Sequence, residues 1–260
     1  MNKPKKGLLF VISIIGLCLI SLGIAQMFIA GPQAQENTPD EPTPIQEGVM
    51  TDRQKEHGKL FKGYGTGKKI RELIKERDEV SLVSGLPGRG GYPGQPQLTQ
   101  ESFVELATGD SDSVSLGSIV GRASQLTTDG DFVFTDYTIQ VETVLKADSN
   151  ASVQPGDDII VVRPGGKVKL NGHLVVAIDK SAPLLKKSSK YLLFLKRIPS
   201  TGGYLTLKGT SLVSPSDDRL RGVADEITSS FLDDSDAGLV EGTIRATSAS
   251  ACQSKTTGGL

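Results

Sequence analysis

The middle of this 260-residue sequence is a series of short apolar segments in which the hydrophobic period is two. The clearest segment, FVFTDYTIQVETVLK at residues 132–146, alternates apolar and polar residues from Tyr137 to Glu142. Because successive side chains of a strand point to opposite faces, this alternation predicts a strand with one buried face and one wet face. The middle of the chain is therefore constrained to a β architecture.

Turn signals separate this strand from further predicted strands. Asp129-Gly130 and Asn171-Gly172 are dipeptides that favour tight hairpins. The other strands are predicted at residues 118–126, 158–163, 167–170, 174–178, 191–197, 204–213 and 239–246. Short strands divided by regular turn signals indicate a mainly β fold, in the form of a small antiparallel sandwich or barrel.

Helices are expected at the flanks of this β region. Residues 68–80 and 217–232 carry apolar residues at helical spacing, with Ser216 as a cap for the second segment. Residues 99–108 form a third predicted helix, in which Thr99 is the cap and acidic residues fill the first turn.

The N-terminus carries a long apolar stretch at residues 7–30, which is long enough to cross a bilayer. Lys3, Lys5 and Lys6 precede the stretch, and no basic residue follows it until Arg53. The positive-inside rule then predicts a single-pass signal anchor in the cell (inner) membrane, with the C-terminal part outside the cytoplasm. A cleaved secretory signal is the alternative, and it would also export the rest of the chain.

These features predict a division of the chain into six parts. The parts are a cytoplasmic tail at 1–6, the anchor at 7–30, a disordered stalk at 31–50, a short helix with a Gly/Pro-rich linker at 51–98, a β-barrel domain with flanking helices at 99–248, and a disordered tail at 249–260.

Glycine-rich segments invite a test for phosphate or cofactor binding. GYGTGKK at residues 63–69 lacks both defining positions of a P-loop, and Gly165-Gly166 leads into a predicted strand rather than a helix. The two glycines are instead expected to provide turn conformations. No cofactor is therefore expected.

Catalytic and metal-binding patterns are weak as well. His57 and His173 are the two histidines, and neither has a partner at metal-ligand spacing. The acidic clusters are better explained by turns and helix caps, so no metal site is expected. Neither histidine lies beside a sharp turn that carries a serine, which argues against a Ser-His-Asp triad.

An alternative, enzymatic hypothesis comes from GDDIIVVRP at 156–164 and YLLFLKRI at 191–198. These segments resemble strands of bacterial type I signal peptidases, which use a serine-lysine pair and place the lysine just before an arginine. The resemblance implies that Lys196 acts as the base. Ser84 is the closest match to the nucleophile, although it lacks the methionine that follows the serine in that family.

A wider resemblance covers about 100 residues, 118–215. The segments SIVGRAS, DYTIQVETVLKAD, QPGDDIIVVRPGG, PLLKKSSKYLLFLK and GGYLTLKGTSLV occur in order. They resemble the strands of netrin-like OB barrels, the fold shared by tissue inhibitors of metalloproteinases. The region has no cysteine, so the resemblance implies a cysteine-free bacterial relative with an OB-like β-barrel and does not imply metalloproteinase inhibition.

The expected function is that of a membrane-anchored extracytoplasmic binding or envelope-structural module. Residues 118–215 contain 12 Lys or Arg against 8 Asp or Glu, an excess that suits an acidic protein or envelope partner. The expected ligand surface is formed by exposed turns that carry Arg163, Lys167, Lys169 and His173. Nucleic acid is not expected as a partner, because the aromatic residues that would stack on bases are needed in the core.

Overall fold

The computed structural model describes residues 43–44, 50–65, 67–84, 99–148, 151–180, 182–207, 211–213, 217–222, 232 and 235–257. The fold is mainly β, with two sheets and a few helices, as the sequence predicts. The described helices are α1 (Asp52–Leu60), α2 (Ile70–Leu73), α3 (Gln100–Asp110) and α4 (Ala237–Thr257). The strands are β1 (Thr43–Pro44), β2 (Glu79–Ser84), β3 (Ser113–Leu126), β4 (Val133–Ala147), β5 (Asp158–Pro164), β6 (Gly166–Leu170), β7 (His173–Asp179), β8 (Lys190–Arg197), β9 (Tyr204–Thr206), β10 (Ser211–Val213) and β11 (Leu220–Gly222).

Five strands of the larger sheet pair in a closed cycle, which we call the strand ring. Its order is β3-β4-β5-β9-β8, and β8 pairs again with β3. Four of these pairings are antiparallel, and the β5–β9 pairing is parallel. β10 and β11 extend the sheet outward from β8.

The interior of the strand ring is filled by the alternating apolar residues of its strands. On β4, Tyr137, Ile139 and Val141 are buried, whereas Gln140 and Glu142 are exposed, as the alternation predicts. The remaining buried members of this core are Ile119, Val153, Ile159, Val161, Leu185, Tyr191, Leu193, Leu195 and Tyr204. Burying one such large apolar side chain contributes about 1.5–3 kcal/mol.

β8 is buried on both faces, which explains its continuous apolar run. Tyr191, Leu193 and Leu195 point into the strand ring. Leu192 and Phe194 instead pack in a second core with apolar residues of α3 and α4. The predicted cap of α3 is confirmed, since the Thr99 side chain accepts a hydrogen bond from the Ser102 amide.

The smaller sheet has the order β1-β6-β7-β2. Asn171 and Gly172, both with positive φ, make the predicted β6–β7 turn. One face of this sheet is buried against Ile70 and Ile74, which lie at α2. Its own buried residues are Val80, Leu82, Val168, Leu170, Val175 and Ala177.

The segment that contains α1 covers the outer face of β4 and β5. Phe61 stacks on Phe134 with ring centroids 6.2 Å apart, in a core that includes Val162 and Ile198. Gly58 lies so close to Thr128 that an added Cβ would be 3.2 Å from its Oγ1. A side chain at position 58 would therefore require Thr128 or Phe134 to shift by a few tenths of an ångström.

Several predicted elements differ from the structure. Residues 68–80 are helical only at Ile70–Leu73, and residues 79–84 form β2. The predicted strand at 204–213 is two strands, because Thr206 pairs with Leu195 whereas Ser211 pairs with Leu192. Between these two pairs the numbering moves by five residues in this segment but by only three in β8. The pairing with β8 is therefore not continuous.

The C-terminal predictions need larger corrections. Residues 220–222, within the predicted helix 217–232, form a strand that pairs with β10. The predicted strand 239–246 is part of α4, which also extends into the predicted tail as far as Thr257. Val240 and Ile244 are buried in the core with α3, so helical spacing, not alternation, decides their burial.

The N-terminal boundary of the domain is also earlier than predicted. Thr43–Pro44 of the predicted stalk pairs with Val168 and Lys169, and β2 of the predicted linker pairs with β7. The predicted anchor at 7–30 lies outside the described residues. Within the described part of the chain, no helix is both long enough and apolar enough to cross a membrane.

Two glycine substitutions test the packing of the strand ring. A Cβ at Gly117 would lie 2.7 Å from the Gln140 carbonyl oxygen on β4. We expect Gly117→Ala to lower the free energy of unfolding by about 1–3 kcal/mol, the usual cost of overpacking. Gly109 in α3 has nothing within 4 Å of its added Cβ, so Gly109→Ala should raise this free energy by about 0.5–1 kcal/mol. Urea unfolding midpoints measure both effects, and equal midpoints for the two variants would contradict this packing.

Candidate functional site

The predicted ligand surface is not one surface in the structure. Arg163 was expected on an exposed turn, but it is 2% exposed and fully buried. The expectation is wrong because Arg163 follows the alternation of β5 and points inward, like Ile159 and Val161. Its charge therefore cannot contact a partner at the surface.

Arg163 belongs instead to a buried polar cluster. Burial lowers the pKa of the Arg163 guanidinium, and the nearby Tyr137, Tyr191 and Asp179 act in the opposite direction. The two tyrosine hydroxyls accept hydrogen bonds from the backbone amides of Leu185 and Lys186, at 3.2 and 2.8 Å. The cluster thus holds the 182–189 connection against the strand ring.

Lys167 and Lys169 do share one face. They alternate with buried Val168 on β6, so both point to the outer side of the smaller sheet. His173 does not join them. It is the register partner of buried Leu170 and lies on the same side of β7 as buried Val175 and Ala177, which is the side opposite to the lysines.

Large apolar residues lie beside these lysines on the outer side of the smaller sheet. Val83 on β2 and Ile178 on β7 are direct register partners, and they are 54% and 40% exposed. Leu174 and Val176, also on β7, are the partners of Lys169 and Lys167 and are half-buried. Glu79 and Ser81 of β2 are the register partners of Leu174 and Val176 and are exposed on the same side. We call this surface, formed by Glu79, Ser81, Val83, Lys167, Lys169, Leu174, Val176 and Ile178, the open sheet face.

Lys196 does not have the environment of a catalytic base. Its Nζ is 2.6 Å from Oδ1 of Asp112, and this hydrogen bond raises the pKa of Lys196 above its ordinary value. A lysine that takes a proton at neutral pH needs a lowered pKa. Ser84, the candidate nucleophile of the peptidase hypothesis, donates a hydrogen bond to the Tyr64 carbonyl at 2.7 Å.

The acidic residues near the β3–β4 turn serve the turn and its neighbours. Asp129 accepts a hydrogen bond from the Gly63 amide at 2.7 Å, and Asp131 accepts one from Thr127 at 3.3 Å. Over the residues that the structure describes, no cluster of three or more histidine, cysteine or acidic side chains is placed to hold a metal ion.

A chain of three polar side chains joins α1 to the strand ring. The His57 ring is 0% exposed; its Nδ1 is 2.9 Å from Oδ1 of Asp136, and its Nε2 is 2.8 Å from Oγ1 of Thr201. Asp136 lies on β4 and is buried, and Thr201 lies in the turn between β8 and β9. The carboxylate can accept the Nδ1 proton, which leaves the Nε2 lone pair directed at the threonine hydroxyl.

Thr201 also borders a cleft of about 330 Å³ at one end of the strand ring. Gly202 and Gly203, which follow Thr201 in sequence, also line the cleft, as does Arg53 of α1. The remaining lining residues are Ser152, Val153, Asp157, Asp158, Ile159, Ile160 and Tyr204. The His57–Asp136–Thr201 chain therefore ends at a surface that a small molecule can reach.

Sequence reasoning missed this arrangement for a physical reason. His57, Asp136 and Thr201 are 79 and 65 residues apart in sequence and lie in three different elements. His57 was expected to have no partners of this kind, and the structure provides two. The one sequence signal is the scarcity of histidine, since His57 is one of two in the chain.

Comparison with known proteins gives no family for this chain. No protein-family model matches the sequence, and no curated protein matches it.

Tyr64, which donates a hydrogen bond to Asp179 of the buried polar cluster, provides a titration test of this contact. Burial, together with the Asp179 carboxylate that accepts its hydrogen bond, raises the pKa of Tyr64 to about 12. The folded protein therefore keeps this proton at pH values where the unfolded chain, with a pKa near 10, loses it. Its stabilising contribution is complete below pH 10 and is lost as the pH rises toward 12.

We therefore expect the urea midpoint of the wild type to fall more steeply than that of Tyr64→Phe between pH 10 and 12. Tyr64→Phe keeps the ring that packs on Phe61 and Phe132 and removes only the titrating hydroxyl. Identical slopes for the two proteins in this range would contradict the placement of Tyr64 beside Asp179.

Proposed function

We propose that the protein is a binding module with an OB-like barrel, presented outside the cytoplasm by its N-terminal membrane anchor. The open sheet face is the ligand surface, and the ligand is an acidic segment of a partner protein. The exposed register pair Val83 and Ile178, flanked by Lys167 and Lys169, is the observation that carries this proposal.

The arrangement of strands supports an OB-like barrel of the netrin type. The five segments that resemble netrin-like strands correspond to β3, β4, β5, β8 and β9, which are the five members of the strand ring. A five-stranded, nearly closed Greek-key barrel is the defining architecture of OB folds. β6 and β7 are then an insertion between the third and fourth barrel strands, and the insertion provides the open sheet face.

Exposed apolar residues support a protein partner. Monomeric proteins rarely leave large apolar side chains together at the surface, and such patches commonly mark interaction sites. A cross-strand pair such as Val83 and Ile178 forms a continuous patch because directly opposed Cβ atoms lie about 5 Å apart. The patch continues into half-buried Val176 on the same side of β7.

Charge supports an acidic partner over a basic one, because two lysines and one acid, Glu79, lie on the open sheet face. Lys169 is exposed, and Lys167 lies on the same side two residues earlier. Charges at the edge of an apolar patch mainly set association rate and partner choice. An acidic segment that lays apolar side chains over Val83 and Ile178 would bring its carboxylates to these lysines.

Site-specific photocrosslinking tests the surface directly. We expect a photoreactive phenylalanine analogue at Ile178 in the full-length protein, in intact bacterial cells, to capture one acidic protein in a discrete adduct. The same analogue at Leu239, which is 74% exposed on α4, is the matched control and should not capture that protein.

Charge reversal then tests the role of the lysines. Lys169→Glu should remove most of the Ile178 adduct, whereas Lys186→Glu, at an exposed lysine outside the open sheet face, should leave it unchanged. The proposal fails if no adduct forms at Ile178, if the Leu239 analogue gives the same adduct, or if the two charge reversals have equal effects.

The topology has its own test. Alkaline phosphatase folds only outside the cytoplasm, because it needs disulfide bonds. We expect phosphatase fused after Leu260 to be active in bacterial cells and to become inactive when residues 7–30 are deleted. An inactive fusion of the full-length chain, at normal expression level, would contradict an extracytoplasmic location.

A further inference from the structure

We propose that Thr201, His57 and Asp136 form an acyl-transfer site that cleaves small neutral or cationic esters bound in the cleft beside Thr201. In this site Thr201 is the nucleophile, His57 is the general base, and Asp136 is a positioning residue. The site is separate from the open sheet face and does not depend on the function proposed for that face.

The order and geometry of the three side chains suit activation of the Thr201 hydroxyl. A nucleophile in hydrogen-bond contact with a base, which a third group orients, is the arrangement that activates hydroxyl nucleophiles. Both contacts here, 2.8 Å to Thr201 and 2.9 Å to Asp136, are within hydrogen-bond distance. With the Nδ1 proton held by Asp136, Nε2 is free to accept the proton of the Thr201 hydroxyl.

A substrate in the cleft could reach Thr201 and His57 through the space beside Gly203. Gly203 lines the cleft, and a Cβ at this position would lie 3.2 Å from His57 Nε2 and 3.4 Å from Thr201 Oγ1. Its φ is not in the left-handed range, so the backbone does not require glycine here. The absence of a side chain at residue 203 instead leaves room beside the two reacting atoms.

The charged residues that line the cleft define the class of substrate. Asp157 and Asp158 are exposed at the cleft and disfavour an anionic substrate. Arg53 is the cation among the lining residues and is the side chain we assign to stabilise the oxyanion of a tetrahedral intermediate. The backbone amides of Thr201 and Gly202 already donate to the Ile198 carbonyl, so this role falls to the side chain of Arg53.

The reaction needs only the ester and water. Thr201 Oγ forms a bond to the ester carbonyl carbon, and its proton moves to His57 Nε2. The bond from that carbon to the alcohol oxygen then breaks, and the alcohol leaves with the proton from His57. Water adds to the acyl-threonine with His57 as base, the acid is released, and the proton returns to Thr201 Oγ.

Acylation by p-nitrophenyl acetate, a small neutral ester, tests the site in the full-length protein in detergent. We expect an acetyl group on Thr201, located by peptide mass spectrometry, and release of nitrophenol. Thr201→Ser should still acquire the acetyl group at residue 201. Thr201→Val, which keeps the shape but not the hydroxyl, should acquire none there, and Ser152→Ala, at another hydroxyl of the cleft, should behave as the wild type.

Further variants separate catalysis from folding. Gly203→Ala should slow acylation, because the added methyl group would lie 3.2 Å from His57 Nε2 and 3.4 Å from Thr201 Oγ1, in the space beside the reacting atoms. His57→Gln should slow acylation by about 100-fold or more, the usual contribution of a general base. Asp136→Asn should lower the maximal acylation rate without changing the ester concentration that gives half of it.

The proposal is overturned if residue 201 is not acetylated in the wild type. It is also overturned if acetylation is confined to lysines, or if folded Thr201→Val releases nitrophenol at the wild-type rate. In each of these cases the three side chains serve only to attach α1 to the strand ring.

Discussion

The pairing of the three-residue strand β9 with two neighbours is the constraint on which the rest of the structure depends. β9 pairs in parallel with β5 and antiparallel with β8, so it links β5 to the C-terminal half of β8 and closes the cycle. Closing the cycle removes unpaired strand edges and encloses the core around Tyr137, Ile139 and Leu193. Without β9, both β5 and the C-terminal half of β8 would present free edges.

The same closure positions the polar chain at the end of the strand ring. The turn from β8 to β9 carries Thr201, and its amides bind the Ile198 carbonyl, so the hydroxyl is held where His57 can reach it. α1 brings His57 because Phe61, at its end, packs on Phe134 of β4. Packing on the outer face of the ring and polar contacts at its end thus stabilise one another.

The helices cover some outer surfaces of the sheets and leave others uncovered. The outer face of β4 and β5 is occupied by α1 and Phe61, and the β8 side is covered by α3 and α4. The outer side of the β6–β7 hairpin has no such cover among the described elements. Ile178 is accordingly exposed on β7, beside the strand that carries Lys167 and Lys169.

Local patterns predicted the strands whose burial follows their own alternation. Residues 132–146 and the Asn171-Gly172 hairpin were predicted within a residue or two, because the sequence period and the turn chemistry both act locally. The predictions failed where pairing with distant residues decides the structure. β10 and β11 depend on each other, and β2 depends on β7, 95 residues away between Glu79 and Leu174.

The same limit applies to the functional residues. Lys167 and Lys169 were expected on exposed turns, whereas they lie on β6, where alternation with buried Val168 directs both to the outer side of the smaller sheet. Arg163 was also expected on a turn, since a charged residue next to Pro164 and two glycines has the local signature of an exposed turn, and only the ring shows that it points inward. The contacts of His57 with Asp136 and Thr201 depend on three elements meeting, for which no local signal exists.

Amide hydrogen exchange at β9 is the most direct measurement of the central claim. If β9 closes the strand ring, the amides of Tyr204 and Leu205 exchange as slowly as those of Ile139 and Val141 in the middle of β4. Exchange of the β9 amides at the rate of an unpaired loop, while β4 remains protected, would show an open sheet and contradict the account.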